Sequence, residues 1–443
     1  MTSSHHPPAI GPRRSLLEKL LCLFSRVEPG EGAIVLLLAL NAFNMMALYY
    51  ILKPVREALI LSQAGAEIKS YASAIQAVLF IFVVPAYGAF ASRVNRVWLL
   101  SGMTLFFISN LLLFIAAGAA GFQVGVAYYV WLGIFSFMIV SQFWAFANDL
   151  YSEEQGKRLF PIVGIGVSLG GLIGAKVTSI YIQQLGPYQL MSVACGLLGV
   201  FALLIVAVNR RHVGRAHEKQ TVAQQTLSKE GGFQLVMSDK YLRSIAFLVL
   251  LLNLVNTIGE FILGKLALAA AEAEIGAAAA LEAQRGAFIG PFYGEFFFWV
   301  NLAGFLIQTF LVSRIIGWIG LRSSLFVLPS ISAATYALAA WSPVLQMVRF
   351  VKTAENSTDY SLNNTVRQAL FLITSREAKY KAKAAIDTFF GRSGDALQAA
   401  VVFAGTQLSF GIRSFALLNL VFTGIWLLVA RSVSREHQKL TTE

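Results

Sequence analysis

Charge is scarce in this sequence: 13% of its 443 residues are Asp, Glu, Lys or Arg, against 57% that are hydrophobic. A mean hydropathy of +0.66 and 34 phenylalanines go with that scarcity, and together they exclude an ordinary soluble domain in favour of a polytopic membrane protein. Cysteine is nearly absent. Cys22 and Cys195 stand alone, without a spaced partner, so neither a disulfide framework nor a zinc site is expected. The five histidines are scattered in the tails and the central connection and make no ligand spacing. No metal and no cofactor is therefore expected. The start of the chain, with His5, His6 and paired prolines, also lacks the basic-then-apolar form of a cleaved signal peptide.

What the chain has instead is long apolar runs. Twelve approach or exceed the roughly 20 residues that a helix needs to cross hydrocarbon. They fall at 31–61, 70–91, 97–118, 122–149, 161–183, 188–208, 241–264, 288–311, 322–341, 343–373, 384–409 and 411–430. The predicted fold is thus an all-α polytopic membrane protein. The expected organisation is a tail with an interfacial helix over 1–30, a six-helix half over 31–208, a linker over 209–240, a second six-helix half over 241–430 and a tail over 431–443. Any activity has to live within the helices and their short loops.

A net charge of +12 would suggest nucleic acid in a soluble protein, but its distribution gives another reason. Basic residues precede the first span (Arg13, Arg14, Lys19). They then follow every second span: Arg93 and Arg96, Lys157 and Arg158, Arg210, Arg211 and Arg215, Arg314 and Arg322, Lys379 and Lys381, Arg431 and Arg435. The positive-inside rule then places both termini in the cytoplasm. The expected partner is the lipid bilayer rather than nucleic acid, and no oligomeric state is read from the sequence. Residues 15–25 put Leu16, Leu17, Leu20, Leu21 and Phe24 on one side, which suits a short interfacial helix; a disordered tail with a few leucines is the alternative.

One stretch, from Arg349 to Asp395, is far too polar for its surroundings. On a helical wheel Arg349, Lys352, Glu355, Asn356, Asp359, Asn363 and Arg367 fall within roughly a third of the circumference. A soluble helix with a solvated face would explain such a stripe in isolation, but the composition requires it to be explained in a bilayer. There it must face the bundle interior or a water-filled cavity, so the stretch is expected to form a wall of a membrane pathway.

The first span carries Asn41, Asn44 and Tyr49, then Lys53, Arg56 and Glu57 flanked by apolar residues. Charges at that depth need partners or water, and Pro54 is placed to kink the helix there. If the span ended at Leu52 the charges would sit in an outer loop, but Ala58 to Leu61 continue the apolar pattern. At the end of the fourth span Gln142, Asp149 and Glu153, at i, i+7 and i+11, share a face. The glycine run GIGVSLGGLIGA that follows lacks the GxxxxGK[ST] spacing of a phosphate loop and reads as close helix packing by small residues. In the seventh span Asn253, Asn256 and Glu260 share a face, which leaves Glu260 as an acid inside an apolar run, with Arg56 or the basic residues of the polar spans as natural partners. The Ala-rich stretch after it reads as an outer-surface helix.

The second half repeats the first. Asn41-x-x-Asn44 recurs as Asn253-x-x-Asn256, Ser92-Arg93 as Ser313-Arg314, and Ser152, Glu154, Arg158 and Gly171 as Ser375, Glu377, Lys381 and Gly394. Taken in order between equivalent spans, these matches imply two six-helix halves in parallel repeat with a central site between them, the arrangement of major facilitator transporters.

The segments ILKPVREAL, FWAFANDLYSEEQGKRLFPIVG and DYSLNNTVRQALFLITSREAKYKAKAAIDTFFGRSGD resemble the ADP/ATP translocases, or nucleotide transporters, of plastids and intracellular bacteria and their shorter bacterial relatives. The resemblance covers nearly all the spans. It implies a major-facilitator-like carrier, not an enzyme, that exchanges nucleotides across a membrane without hydrolysing them, here a bacterial inner membrane. Arg56-Glu57 falls on the family's Lys-Asp pair, Glu260 on its acid in the seventh span, Glu154 on the acid before the basic pair of the fourth loop, and Lys381, Lys383 and Asp387 on its KxKAAID motif. Arg in place of Lys at 56, together with Pro54 and Gln155, departs from the family pattern.

The substrate-binding candidates are accordingly Asn41, Asn44, Lys53, Arg56, Lys352, Asp359, Asn363, Arg367, Lys381 and Lys383. Glu57, Asp149, Glu154, Glu260, Glu355, Asp387, Arg392 and Asp395 are candidates for gating or salt bridges. Three functions compete. The first is a nucleotide or organophosphate exchanger in which Arg and Lys grip phosphate oxygens. The second is a carrier of another solute whose charges tie the halves together. The third is a non-transporting scaffold or membrane enzyme, disfavoured because no nucleophile stands with a paired His.

Overall fold

The structure, a computed structural model, describes residues 15–22, 25–91, 96–213, 232–375 and 377–442, and among them every element is helical. Eight helices are long and apolar enough to cross a membrane. Two of these are pairs of rods run together. Gly186 (φ 72°) and Gly320 (φ 78°) adopt the left-handed region that a side chain disfavours, and each lets the chain turn sharply between two rods.

Counted that way the apolar helices make ten spans, and the two more polar helical segments at 345–370 and 377–407 bring the number to the twelve expected. The first four are Gly32–Gln63, Gly65–Ala91, Arg96–Ala119 and Gly125–Leu150; the fifth and sixth are 153–185 and 187–213; the seventh is Lys240–Ile275. The eighth to eleventh are 282–319, 321–341, 345–370 and 377–407, and the twelfth is Ile412–Thr442. A short helix, Leu16–Leu21, precedes them and is closed by a capping box between Ser15 and Glu18. A short helix is expected within 15–25, and this one occupies the first part of that stretch. The tail up to residue 14, linker residues 214–231, and Arg13, Arg14, Arg93 and Arg215 of the basic alternation lie outside the described residues.

Several boundaries differ from expectation. The fifth span starts at 153 rather than 161. The seventh runs on to Ile275, because the Ala-rich stretch is itself a strong helix former and nothing breaks it before Gly276; it is therefore not a separate outer helix. The twelfth continues to Thr442 through what was expected to be a tail. As expected, the first span runs through Pro54, here to Gln63, and keeps Lys53, Arg56 and Glu57 on one helix. In the polar stretch 349–395 the helices loosen into wide π turns at Asp359–Asn363, Ala378–Ala382 and Ile386–Phe390.

The glycine run packs the fifth span onto the first. A Cβ on Gly166, Gly170 or Gly174 would come within 2.2, 2.2 and 2.3 Å of the carbonyl oxygens of Ala39, Phe43 and Ala47, so the two backbones are in direct contact at every turn. The same contact recurs in the second half. Gly394, the repeat counterpart of Gly171, lies where a Cβ would be 2.8 Å from the Leu250 carbonyl of the seventh span.

Between the halves, the eighth span packs on the fifth, with Gly294 against the Ser179 backbone. Four polar links join the halves at the end away from the N-terminal helix. They are Lys265 to Glu67 (2.6 Å), Gln398 Nε2 to Ser70 Oγ (2.9 Å), Gln123 Nε2 to Glu282 (3.2 Å) and Arg285 Nη2 to the Ser62 carbonyl (3.4 Å).

Candidate functional site

A cavity of about 250 Å³ lies between the halves. Helical spacing builds its walls. Tyr49, Lys53 and Arg56, at i, i+4 and i+7, come from the first span; Lys69, Ser70, Ser73 and Gln76 continue the wall on the second, with Tyr129 beside them. The second half contributes Asn256, Thr257, Glu260 and Phe261 from the seventh span, Phe297, Tyr360, and then Arg392, Asp395 and Gln398 from the eleventh.

Four cations line this space, and three of them have a carboxylate. Glu57, 1% exposed, takes two. It accepts from Arg56 Nε at 3.0 Å and pairs with Lys69 Nζ at 2.6 Å. The Arg56 guanidinium also lies 4.5 Å from the centre of the Tyr129 ring. Arg392 pairs with Asp395 at 3.2 Å on its own helix. Lys53 differs. It is 9% exposed, and among the described residues no carboxylate lies within ion-pair distance of it. Its ammonium sits instead over aromatic faces, 4.0 Å from Phe297, 5.3 Å from Tyr50 and 5.9 Å from Tyr49. Cation–π contact offsets part of the cost of burying that charge, roughly 0.5–2 kcal/mol. An anion in the cavity would offset the rest.

Most of the polar stripe of the tenth span does not face this cavity. Lys352 is fully buried within the second half, donating to Asn256 Oδ1 at 2.6 Å and pairing with Glu355 at 3.2 Å. Glu355 also accepts from Ser332 at 2.9 Å and Tyr336 at 3.0 Å. Asn356 donates to Glu260 at 2.9 Å, so the cavity acid is held from behind by the same helix. Arg349 pairs with Glu295 at 2.9 Å.

Of the residues singled out from the sequence, Tyr49, Lys53, Arg56, Asn256, Glu260, Arg392 and Asp395 meet at the cavity and Glu57 lies behind it. The others sit elsewhere. Lys352 and Glu355 form the internal network above. Asp359 and Asn363 bond each other at 2.8 Å. Asn44 donates to the Leu197 carbonyl at 2.8 Å, and Asn41 is wholly buried in the first half. Lys383 donates to Gln368; Arg367, Lys381, Asp149 and Glu154 do not line the cavity, and Asp387 lines a separate groove. Sequence reasoning missed Lys69, Ser70, Ser73, Gln76 and the aromatic residues other than Tyr49. Placing the second span at 70 left Lys69 just outside it, although KSYASAIQ carries polar residues on one face at i, i+1, i+4 and i+7.

Below the first span, Glu31 ties the fifth span to the start of the bundle, accepting from Arg158 Nη2 at 3.0 Å and Gln155 Nε2 at 3.1 Å. Burial pushes its carboxyl up, but the hydrogen bond from Arg158, the Glu28 backbone, the Arg158 charge and Gln155 together outweigh burial and hold it below the usual carboxylate value.

Comparison with known proteins agrees with this architecture. The family model described as Major Facilitator Superfamily matches residues 34–374. Curated relatives include "ADP,ATP carrier protein 1, chloroplastic" of Arabidopsis thaliana, 22% identical over 360 residues, covering 71% of this chain and 54% of the relative. "ADP,ATP carrier protein 1" of Chlamydia pneumoniae is 23% identical over 341 residues, covering 68% of this chain and 64% of the relative. The resemblance read from the three sequence segments is thus borne out, although the chain spans only about half the length of the plastid protein. Among solved structures, the nucleoside transporter NupG superposes with a TM-score of 0.63 at 12% identity, over 90% of this chain and 98% of that one. A bacterial homologue of the iron transporter ferroportin in an inward-facing state gives 0.61 at 14%, over 91% and 98%. At such identities these structures share the fold.

Proposed function

Because the chain belongs to the Major Facilitator Superfamily and is a multi-pass integral membrane protein, we propose that its central cavity binds a nucleotide or related organophosphate and exchanges it across the membrane, the two halves alternating around the site. The observation that carries this reading is Lys53, a buried cation lining the cavity with no carboxylate beside it. An unpaired charge in that position is costly unless an anionic ligand meets it. The aromatic faces of Tyr49, Tyr129, Phe297 and Tyr360 around it suit a ligand that also has a flat or apolar part. The names of the curated relatives, ADP,ATP carriers, point to the same substrate class.

The alternative reading, in which the cavity charges serve to clamp the halves together, is weaker on geometry. Arg56 and Lys69 share Glu57 within the first half, and Arg392 pairs with Asp395 within the second. Only the size of the cavity favours a different solute. At about 250 Å³ it lies below the roughly 300–1,000 Å³ of most ligand pockets, which suits a small organophosphate better than a whole nucleotide in this conformation. The proposal also has both termini in the cytoplasm, on the strength of the basic-residue alternation, and a bacterial inner membrane as the setting, on the strength of the resemblance to shorter bacterial carriers alone.

Counterflow in reconstituted vesicles tests the exchange. Vesicles loaded with unlabelled ADP should take up labelled ATP much faster than empty ones, and a neutral nucleoside should not compete. Uptake independent of loading, or blocked as well by the nucleoside as by ADP, removes nucleotide exchange as the function.

A further inference from the structure

A second cavity, an apolar groove of about 420 Å³, runs between the second and eleventh spans. Its floor is the edge-to-face pair Phe80 and Phe137, 5.3 Å apart, and it is open to the outside of the bundle: Val78 and Ile81 are each 52% exposed and Phe389 is 44% exposed. On helices that cross a membrane, that outside is hydrocarbon. Two charged residues of its lining, Asp387 and Arg392, do not belong in hydrocarbon. Arg392 lines both this groove and the central cavity, with its guanidinium 4.5 Å from the centre of the Phe80 ring.

Arg392 is only partly satisfied. Among the described residues its one hydrogen bond goes from Nη1 to Asp395 at 3.2 Å, which leaves most of its five donors to other partners. Asp387, the acid in the groove itself, makes no ion pair with Arg392 among the described residues; the Arg392 ion pair is with Asp395. A charged fork at the inner end of an apolar trough, opening onto a cavity that holds the unpaired Lys53, is complementary to a molecule with an acidic head and an apolar tail. We infer that this groove binds an anionic amphiphile with a single apolar chain, the chain lying between the second and eleventh spans and the acidic head reaching Arg392. In a bilayer the chain passes from lipid to the groove, so its burial there adds packing contacts rather than transfer free energy from water, and recognition comes from the charge-assisted bond between the head and the guanidinium.

The test uses the full chain in nanodiscs of phosphatidylcholine, with dodecyl phosphate carrying a photoreactive group at the end of its chain. Labelling is expected to concentrate in 77–85 and 387–396, to be displaced by unlabelled dodecyl phosphate, and to resist dodecanol and inorganic phosphate at the same concentration. Arg392→Gln should weaken it about tenfold, the typical effect of losing a charge-assisted hydrogen bond. Arg392→Lys keeps the charge and should retain most of the labelling, which separates recognition from misfolding. Ala77→Trp, which fills the trough, should abolish it. If dodecanol competes as well as dodecyl phosphate, or Arg392→Gln labels like wild type, the groove is a lipid-facing surface without head-group recognition and the inference fails. If inorganic phosphate alone displaces the probe, the head binds without the chain and the inference fails as well.

Discussion

The ammonium of Lys53, on the first span, lies 4.0 Å from the centre of the Phe297 ring on the eighth, so the cavity cation that has no carboxylate beside it among the described residues rests on an aromatic face of the second half. The contact crosses the interface along which major facilitator halves move. Any rearrangement that separates the first and eighth spans would uncover this charge, and a bound anion would change the cost of doing so. Lys53 therefore connects the electrostatics of the cavity to the relative position of the halves.

Glu57 should be the main electrostatic support of the site. It is 1% exposed and serves both Arg56 and Lys69. Glu57→Gln keeps the shape but leaves two buried cations uncompensated, at a cost of about 3–5 kcal/mol by analogy with broken buried pairs. A clear drop in melting temperature of the purified protein is expected, with a smaller drop for Glu57→Asp. Wild-type melting in Glu57→Gln would show that water or lipid already satisfies these cations.

Gly170 should tolerate no side chain. Its Cβ would meet the Phe43 carbonyl oxygen at 2.2 Å, and that backbone cannot retreat without moving the first span. Gly170→Val should destabilise the protein by about 1–3 kcal/mol or more. Gly164→Val, with open space around its Cβ, is the control and should cost far less. Equal melting of the two variants would contradict the close packing of the first and fifth spans.

The orientation can be tested by single cysteines. Placed at Ser25 or Thr442, a cysteine should react with an impermeant maleimide only after the cytoplasmic face is exposed, whereas one at Phe122 should react from outside intact cells. Labelling of the first two from outside would reverse the orientation.

Much of the fold was legible because a membrane span must bury its backbone polar groups within one apolar run of about 20 residues, and such runs stand out in a sequence. The count of spans and the glycine packing followed from local pattern. The ends of the spans did not, since the Ala-rich continuation to Ile275 and the polar start at Glu153 form helix without being apolar. Charge pairing was harder still. The stripe containing Lys352 and Glu355 is regular on a helical wheel, but whether it faces a cavity or Tyr336, Ser332 and Asn256 depends on which helices pack there. That information resides in contacts between residues far apart in the chain. Lys53 and Arg56 were readable as charges, but the sharing of Glu57 with Lys69, which sets Lys53 apart, was not.

The most direct test of the central claim is equilibrium binding of ATP, ADP and the corresponding neutral nucleoside to the purified protein and to Lys53→Met, which keeps length and apolar bulk but removes the charge. If Lys53 meets a phosphate, ATP and ADP bind the wild type, the nucleoside binds far more weakly, and Lys53→Met loses about one to two decades of affinity for the phosphorylated ligands alone, the equivalent of roughly 1.5–3 kcal/mol. Equal affinity of the wild type and Lys53→Met for ATP, or equal binding of nucleotide and nucleoside by the wild type, would contradict the account.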